Sequence, residues 1–394
     1  MGPSASESSS RRPEERAHSP VAARSRRTIL VVSNHGDIVG GGEVSLLVLL
    51  KGLDRTRWSP VVVVPSEGGM ATRCRELGLP THVIPLPGLR RSWPAIFRSM
   101  ATLRRLARDT GASLLHANGS RAMFYAGLAG RILGRPVVWH LRVWREDARL
   151  DWLLARLATR TIAISEAVRS RLRHWPAAHR RCSVVPNGID LEKFSPSTSP
   201  DAVRAALGLS QGDRVIGTVG RLVQFKGHGY LLEAFARLRP QFPTLRLLIV
   251  GNGPERSALS RRAEGLGIAG AVIFTGHRED VADLLTVMEV FVLPSEAEDF
   301  GRVLLEAMAL ARPVIATAAG GAPEVVEESV TGLLVRPADP GALAAGVAGL
   351  LTDPARARLM GRAGRQRVEK YYTLRDHAKL VETIYAEILQ VAGA

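Results

Sequence analysis

The stretch Val290-Phe-Val-Leu293-Pro-Ser295-Glu-Ala-Glu298-Asp-Phe300-Gly301-Arg302-Val303-Leu-Leu-Glu306-Ala-Met308 passes from an apolar run, through a polar loop, into a helical pattern at about Gly301. A short continuous apolar run leading into a helix is the mark of a parallel strand buried on both faces. Glu306 falls near the second helical turn, beside Leu304, Leu305 and Met308. A carboxylate there is costly to desolvate unless hydrogen-bond donors meet it, and sugar or ribose hydroxyls are such donors. Glu298 precedes the helix, where the macrodipole favours negative charge. The plain alternative is an acidic cluster that only caps the helix, and this segment alone leaves both readings open.

The same alternation extends in both directions. A series of short apolar runs at 215–219, 245–250, 272–275, 290–293, 314–316 and 332–335 is separated by helical patterns. An earlier series occupies 28–33, 60–64, 82–86, 114–116, 137–141, 161–165 and 182–185. Strand-helix alternation with crossovers builds α/β doubly wound sheets, and two series predict two such domains. The Ser195-Pro-Ser-Thr-Ser-Pro200 segment between them is the best linker candidate. The expected organisation is a disordered basic tail over 1–26, a first domain over 27–196, a linker over 197–212 and a second domain over 213–372. A closing amphipathic helix over 373–394 is expected to pack back towards the first domain.

Length and composition set the outer limits. With 394 residues, 46% apolar and 23% charged, the chain has the balance of a soluble globular protein of about two domains. No apolar run approaches the roughly 20 residues that span a bilayer. Residues 1–26 are rich in Ser, Pro, Arg and Glu and carry no secretory core. Cys74 and Cys182 form neither a CxxC nor a disulfide framework, which suits a reducing compartment. A cytoplasmic location, with peripheral contact to the inner face of the membrane, is the expectation. The net charge of +16 rests on arginine, since only five of 53 basic residues are lysine. That bias reads as genome-wide composition, and without interleaved aromatics or Cys/His knuckles it predicts no nucleic-acid partner.

In doubly wound sheets ligands bind beyond the carboxyl ends of strands, so the loops there carry the chemistry. Gly220-Arg221-Leu-Val-Gln-Phe-Lys226-Gly227 sets two cations at a strand end, where backbone N–H groups and a guanidinium fork receive anions. A solvated loop is the alternative. Gly251-Asn252-Gly253 and Gly320-Gly321-Ala-Pro323-Glu324 are further strand-end turns, and Gly40-Gly41-Gly42-Glu43 opens a helix in the first series. His140, in Val-Val-Trp-His140-Leu-Arg142, closes a strand, as does His116 in His116-Ala-Asn118-Gly119.

In this order, the pieces resemble the retaining glycosyltransferases of GT-B architecture and family 4 type, over about residues 28–390. The E-x7-E arrangement from Glu298 to Glu306 is the most specific of them. The resemblance implies two Rossmann-like domains facing across a cleft, the first binding acceptor and the second the nucleotide sugar. Arg221 and Lys226 would neutralise the donor diphosphate, Glu306 would hold the ribose and Glu298 the transferred sugar. Phe300, Gly301, Arg302 and Val303 would cradle donor oxygens, with Gly41 and Gly42 beside the diphosphate. His140 would contact the donor sugar or acceptor, and His116, Asn118 and Arg142 would line the acceptor side. The expected reaction moves a hexose to a glycan, lipid-linked or small-molecule acceptor with an α bond. A non-catalytic sugar-nucleotide binder or a GT-B epimerase is the competing class. Gln224-Phe225 depart from the acidic residue many relatives carry there. No Asp-x-Asp pair occurs, so helix ends and cations are expected to replace a catalytic metal, with no cofactor. The segment from Trp93 to Arg108 separates apolar from Arg positions, which fits an anionic membrane surface or an ordinary packed helix.

Overall fold

A computed structural model describes residue 2 and residues 26–88, 93–145 and 147–391. The expected basic tail, apart from Gly2 and Arg26, lies outside the described residues.

The first sheet has seven parallel strands: β1 (Arg27–Ser33), β2 (Trp58–Val64), β3 (Thr81–Val83), β4 (Leu114–Asn118), β5 (Val137–Leu141), β6 (Arg160–Ala163) and β7 (Cys182–Val184). Their order is β3-β2-β1-β4-β5-β6-β7, with the switch between β1 and β4. The second has six: β8 (Arg214–Val219), β9 (Leu245–Val250), β10 (Val272–Gly276), β11 (Val290–Leu293), β12 (Val314–Thr317) and β13 (Gly332–Val335). They run β10-β9-β8-β11-β12-β13, switching between β8 and β11. Both are doubly wound, as the alternating pattern predicts. β3 ends at Val83 rather than residue 86, because Pro85 and Pro87 have no N–H to give a ladder.

Central strands are buried on both faces, which is why they read as unbroken apolar runs. On one face of the first sheet, Ile29, Val31, Leu114 and Val138 pack with Val381, Ile384, Tyr385 and Ile388 of the last helix, Leu374–Val391. Gly52 admits that helix, since a Cβ there would meet Leu374 Cδ2 at 2.8 Å and Ala378 Cβ at 3.0 Å. Its start is stitched to the first half by Ile189 N–H to Tyr372 O (2.8 Å) and Leu374 N–H to Ile189 O (2.9 Å).

The segment that reads as a linker holds a helix, Pro200–Ala206, capped by Ser199. Val203 and Leu209 are buried, and Asp283 accepts from the Ser197 and Thr198 N–H groups at 2.7 and 3.2 Å. Its apolar positions and backbone donors thus tie it to the second half.

Candidate active site

The loops after β8, β11 and β12 converge through glycines. Gly227 (φ +68°) and Gly320 (φ +54°) both occupy the left-handed region. A Cβ on Gly227 would collide with the Pro294 carbonyl, and one on Gly320 with that of Glu298. Only glycine permits such an approach in that conformation. These contacts hold the cation loop, the acidic loop and the Gly320 turn against one another.

Within that frame, Lys226 Nζ donates to Glu298 Oε2 at 2.6 Å, and Ser295 Oγ donates to the same oxygen at 3.0 Å. Thr317 Oγ1 holds the Ser295 carbonyl from below. Gly301 (φ +87°) is the N-cap of the helix Arg302–Ala309, so Arg302 and Glu306 sit one turn apart and form an ion pair. The Arg221 side chain is exposed and makes no hydrogen bond or ion pair among the described residues. The second half therefore brings Lys226 to Glu298 and Arg302 to Glu306, so two of its three cations are already occupied by carboxylates.

The first half faces them with the helix Gly41–Gly52, whose N-terminus begins at the glycine loop. A Cβ on Gly41 would lie 4.0 Å from Arg302 Cδ, so the two halves meet at this point. Beneath the loop, Asn118 Nδ2 donates to Gly42 O (3.4 Å), and Arg142 donates through Nε to Asn118 Oδ1 (2.7 Å) and through Nη1 to Asn187 Oδ1 (2.8 Å). Arg142 is 7% exposed, and its Nη2 has no partner. Burial pulls its pKa down to about 9, opposed by the Glu43 charge. Burial in turn raises the Glu43 carboxyl, with His35 and Arg142 opposing.

His140, expected to contact the donor sugar or acceptor, lies near the end of β5. It is fully buried, because β5 runs between β4 and β6 and the last helix covers that face. His116 lies beside it, equally buried, with ring centroids 5.2 Å apart. Burial lowers both imidazoles, His116 to about 3, so both are neutral.

Two carboxylates at the junction escaped the sequence reading. Asp299 Oδ1 accepts from the Trp144 N–H (2.8 Å), and its carbonyl accepts from Ser165 Oγ (2.6 Å). Glu324 accepts from the Glu166 and Ala167 N–H groups at 2.8 and 3.1 Å. Asp299 lies inside the quoted acidic loop and Glu324 inside a quoted turn, but only the fold reveals partners more than 130 residues distant. A separate open cavity of about 800 Å³ in the first half is lined by His35, Asp37, Leu86, Arg98 and Arg121 among others.

Two doubly wound sheets, with cations and helix starts at the strand ends where they meet, define a protein of the GT-B class. Residues 200–367 match the profile of the glycosyl transferases group 1, and residues 39–193 match that of glycosyltransferase family 4. The chain belongs to this family of glycosyltransferases. It is 39% identical over 214 residues to a D-inositol 3-phosphate glycosyltransferase of Corynebacterium urealyticum, covering 51% of this chain and 50% of that protein. It is 28% identical over 342 residues to a 2-deoxystreptamine glucosyltransferase of Streptomyces kanamyceticus, covering 81% and 88%. The Anabaena HepE structure in complex with UDP superposes with a TM-score of 0.81 at 25% identity, covering 91% of this chain and 100% of that one. The chain spans about half the length of the first curated relatives it matches.

Proposed function

We propose that this protein is a retaining glycosyltransferase that moves a hexose from a nucleotide diphosphate sugar to a hydroxyl acceptor, forming an α-glycosidic bond. The observation that carries this reading is the Lys226–Glu298 ion pair beside the unpaired Arg221, opposite the glycine loop. Arg221 and Lys226 bind the diphosphate and stabilise the charge that develops as it leaves. The N–H groups at the start of the Arg302–Ala309 helix receive donor oxygens. Glu298 orients the transferred sugar, and Glu306, released from Arg302, holds the ribose. The acceptor hydroxyl attacks from the face that the diphosphate leaves, and the departing phosphate takes its proton. Glu298 and Glu306 share one loop-helix segment, which disfavours the flanking carboxylates of a glycosidase. Cations and helix ends make a divalent metal unnecessary, so EDTA should leave turnover unchanged.

The acceptor side belongs to the first half. A Mycolicibacterium smegmatis relative acts on a phosphatidylinositol monomannoside with GDP-mannose, and the two relatives named above act on inositol phosphate and 2-deoxystreptamine. Polyhydroxylated rings are common to these names, and the 800 Å³ cavity with Arg98 and Arg121 suits such a ring bearing an anionic group. On the helix Trp93–Asp109, the neighbouring Trp93 and Phe97 rings are 64% and 63% exposed beside Arg98. That supports weak docking on an anionic membrane, since no described helix is long and apolar enough to cross one. Turnover of a nucleotide-sugar panel, with the product anomer read by NMR, tests the reaction. Full turnover by Glu298→Ala, or a β product, would refute it. Co-sedimentation with vesicles that ignores their anionic lipid content would remove the membrane contact.

A further inference from the structure

The hydrogen bonds around His140 form a directed chain that begins on the last helix. Tyr385 is fully buried, and its ring packs edge-on against Trp58 at 5.5 Å. Its hydroxyl lies 2.7 Å from His116 Nδ1, its one hydrogen-bonding neighbour among the described residues. His116 Nε2 lies 3.3 Å from His140 Nδ1, and His140 Nε2 has no partner.

The direction of this chain follows from where its one unused proton would lie. Both imidazoles are neutral, so each ring carries one N–H and one lone pair. If the bonds ran from His140 towards Tyr385, His116 Nδ1–H would donate to the phenol oxygen and the buried hydroxyl proton would be stranded. A buried donor without an acceptor costs roughly as much as a lost hydrogen bond. In the other direction the phenol donates to His116 Nδ1, and His116 Nε2–H donates to His140 Nδ1. Every proton in the chain is then used except the last, on His140 Nε2.

The surroundings give that last proton a purpose. His377 Nδ1 lies 2.6 Å from Pro186 O, and a carbonyl only accepts, so His377 Nε2 carries the lone pair. The His140 and His377 rings are 6.1 Å apart, and His377 Nε2 and Arg142 Nη2 are likewise without partners. Arg142 and His377 are fastened to adjacent residues, Asn187 and Pro186. Two orphaned donors and one orphaned acceptor therefore share one buried cluster beneath the Gly42 loop. Buried polar groups in this state are satisfied by a guest that both accepts and donates, which a hydroxyl or a water does and a bare carbonyl does not.

We propose that Tyr385 is a positioning residue: through His116 it fixes His140 as the Nε2–H tautomer, a donor to a substrate hydroxyl oxygen when the cleft is occupied. This rests on the transferase reading for its purpose but not for its geometry. It also gives His140 a role compatible with complete burial, as a donor met from the cleft side under the glycine loop.

Histidine ring nitrogens labelled with ¹⁵N report the tautomer directly, with His116→Gln and His140→Gln used to assign the signals. The wild-type protein is expected to show His116 and His140 protonated at Nε2, and Tyr385→Phe, which keeps the ring, to leave both as tautomer mixtures. With UDP-glucose and GDP-mannose as donors, Tyr385→Phe should lower kcat roughly ten- to hundredfold, the usual effect of removing an orienting partner behind a working histidine, with KM nearly unchanged. His116→Gln breaks the chain at its middle and should move kcat the same way. His140 protonated at Nδ1 in the wild type, or tautomers indifferent to Tyr385→Phe, would overturn the proposal. Correct tautomers with undiminished kcat in Tyr385→Phe would overturn it equally, without touching the family reading. A wild-type protein inert towards every donor counts against the transferase reading instead, and the tautomers still decide the chain.

Discussion

Replacing Glu298 by glutamine separates two jobs that one carboxylate performs. In the unliganded site it accepts from Lys226 at 2.6 Å, with side-chain exposures of 21% for the lysine and 8% for the glutamate. A diphosphate must draw Lys226 away from that partner before the ammonium can serve it. Pairs this sheltered lie between exposed ion pairs, near zero to 1 kcal/mol, and fully buried ones, so the competition is worth about 1–2 kcal/mol. Glu298→Gln should therefore bind UDP or GDP about five- to thirtyfold more tightly than the wild type. Turnover of the sugar nucleotide should fall by about a hundredfold, because the contact with the transferring sugar is weakened at the transition state. Isothermal titration calorimetry at two salt concentrations measures the first effect and donor hydrolysis the second. Unchanged or weaker diphosphate binding by Glu298→Gln would mean that Glu298 organises Lys226 for the phosphate and does not compete with it.

Other outcomes follow from single features. Arg221→Ala removes an exposed, unpaired cation, so the melting temperature of the free protein should stay within a few degrees while the rise induced by UDP or GDP largely disappears. Gly320→Ala forces a left-handed residue against the Glu298 carbonyl and should lower unfolding stability by at least about 2 kcal/mol in urea titrations. His116, His140 and His377 are held neutral by burial, His116 and His377 at about 3, so the unfolded chain takes up protons first as the pH drops below about 6.5. Stability is then full above that pH and falls below it, by on the order of 1 kcal/mol per histidine per pH unit; urea midpoints equal at pH 7.5 and 5.5 would contradict this. Burial raises the Cys74 and Cys182 thiols to about 11 and about 12, so at pH 8 an alkylating reagent should modify them only after denaturant is added.

The strands were legible because parallel strands buried on both faces leave unbroken apolar runs, as in β5 and β11. β3 misled at its end because Leu86 is buried without belonging to the ladder, and burial is what an apolar run records. In the second half the Glu298 to Glu306 stretch was readable because it is one loop and one helix, whereas Lys226 reaches Glu298 from 72 residues away. The first half was harder. Tyr385 and His116 are 269 residues apart, and nothing in either local pattern announces the other. His140 was correctly placed at a strand end, but its exposure depended on a helix from the far end of the chain. Arg302 looked like a free cation for phosphate, whereas helical i,i+4 spacing gives it to Glu306 in the unliganded site.

The last helix has a consequence for anyone recombining this architecture. Tyr385, Ile384 and Ile388 complete the core of a sheet whose strands were all laid down before residue 185, although the helix follows the second half in the chain. A cut in the 195–200 segment therefore does not divide the molecule into exchangeable parts, since the amino-terminal fragment would expose the apolar face that this helix covers. A chimera that borrows a foreign donor-binding half has to keep residues 374–391 from the parent of the amino-terminal half, giving two crossover points instead of one. Breeding new donor and acceptor combinations from relatives is thus a problem of replacing a middle piece, not of joining two ends.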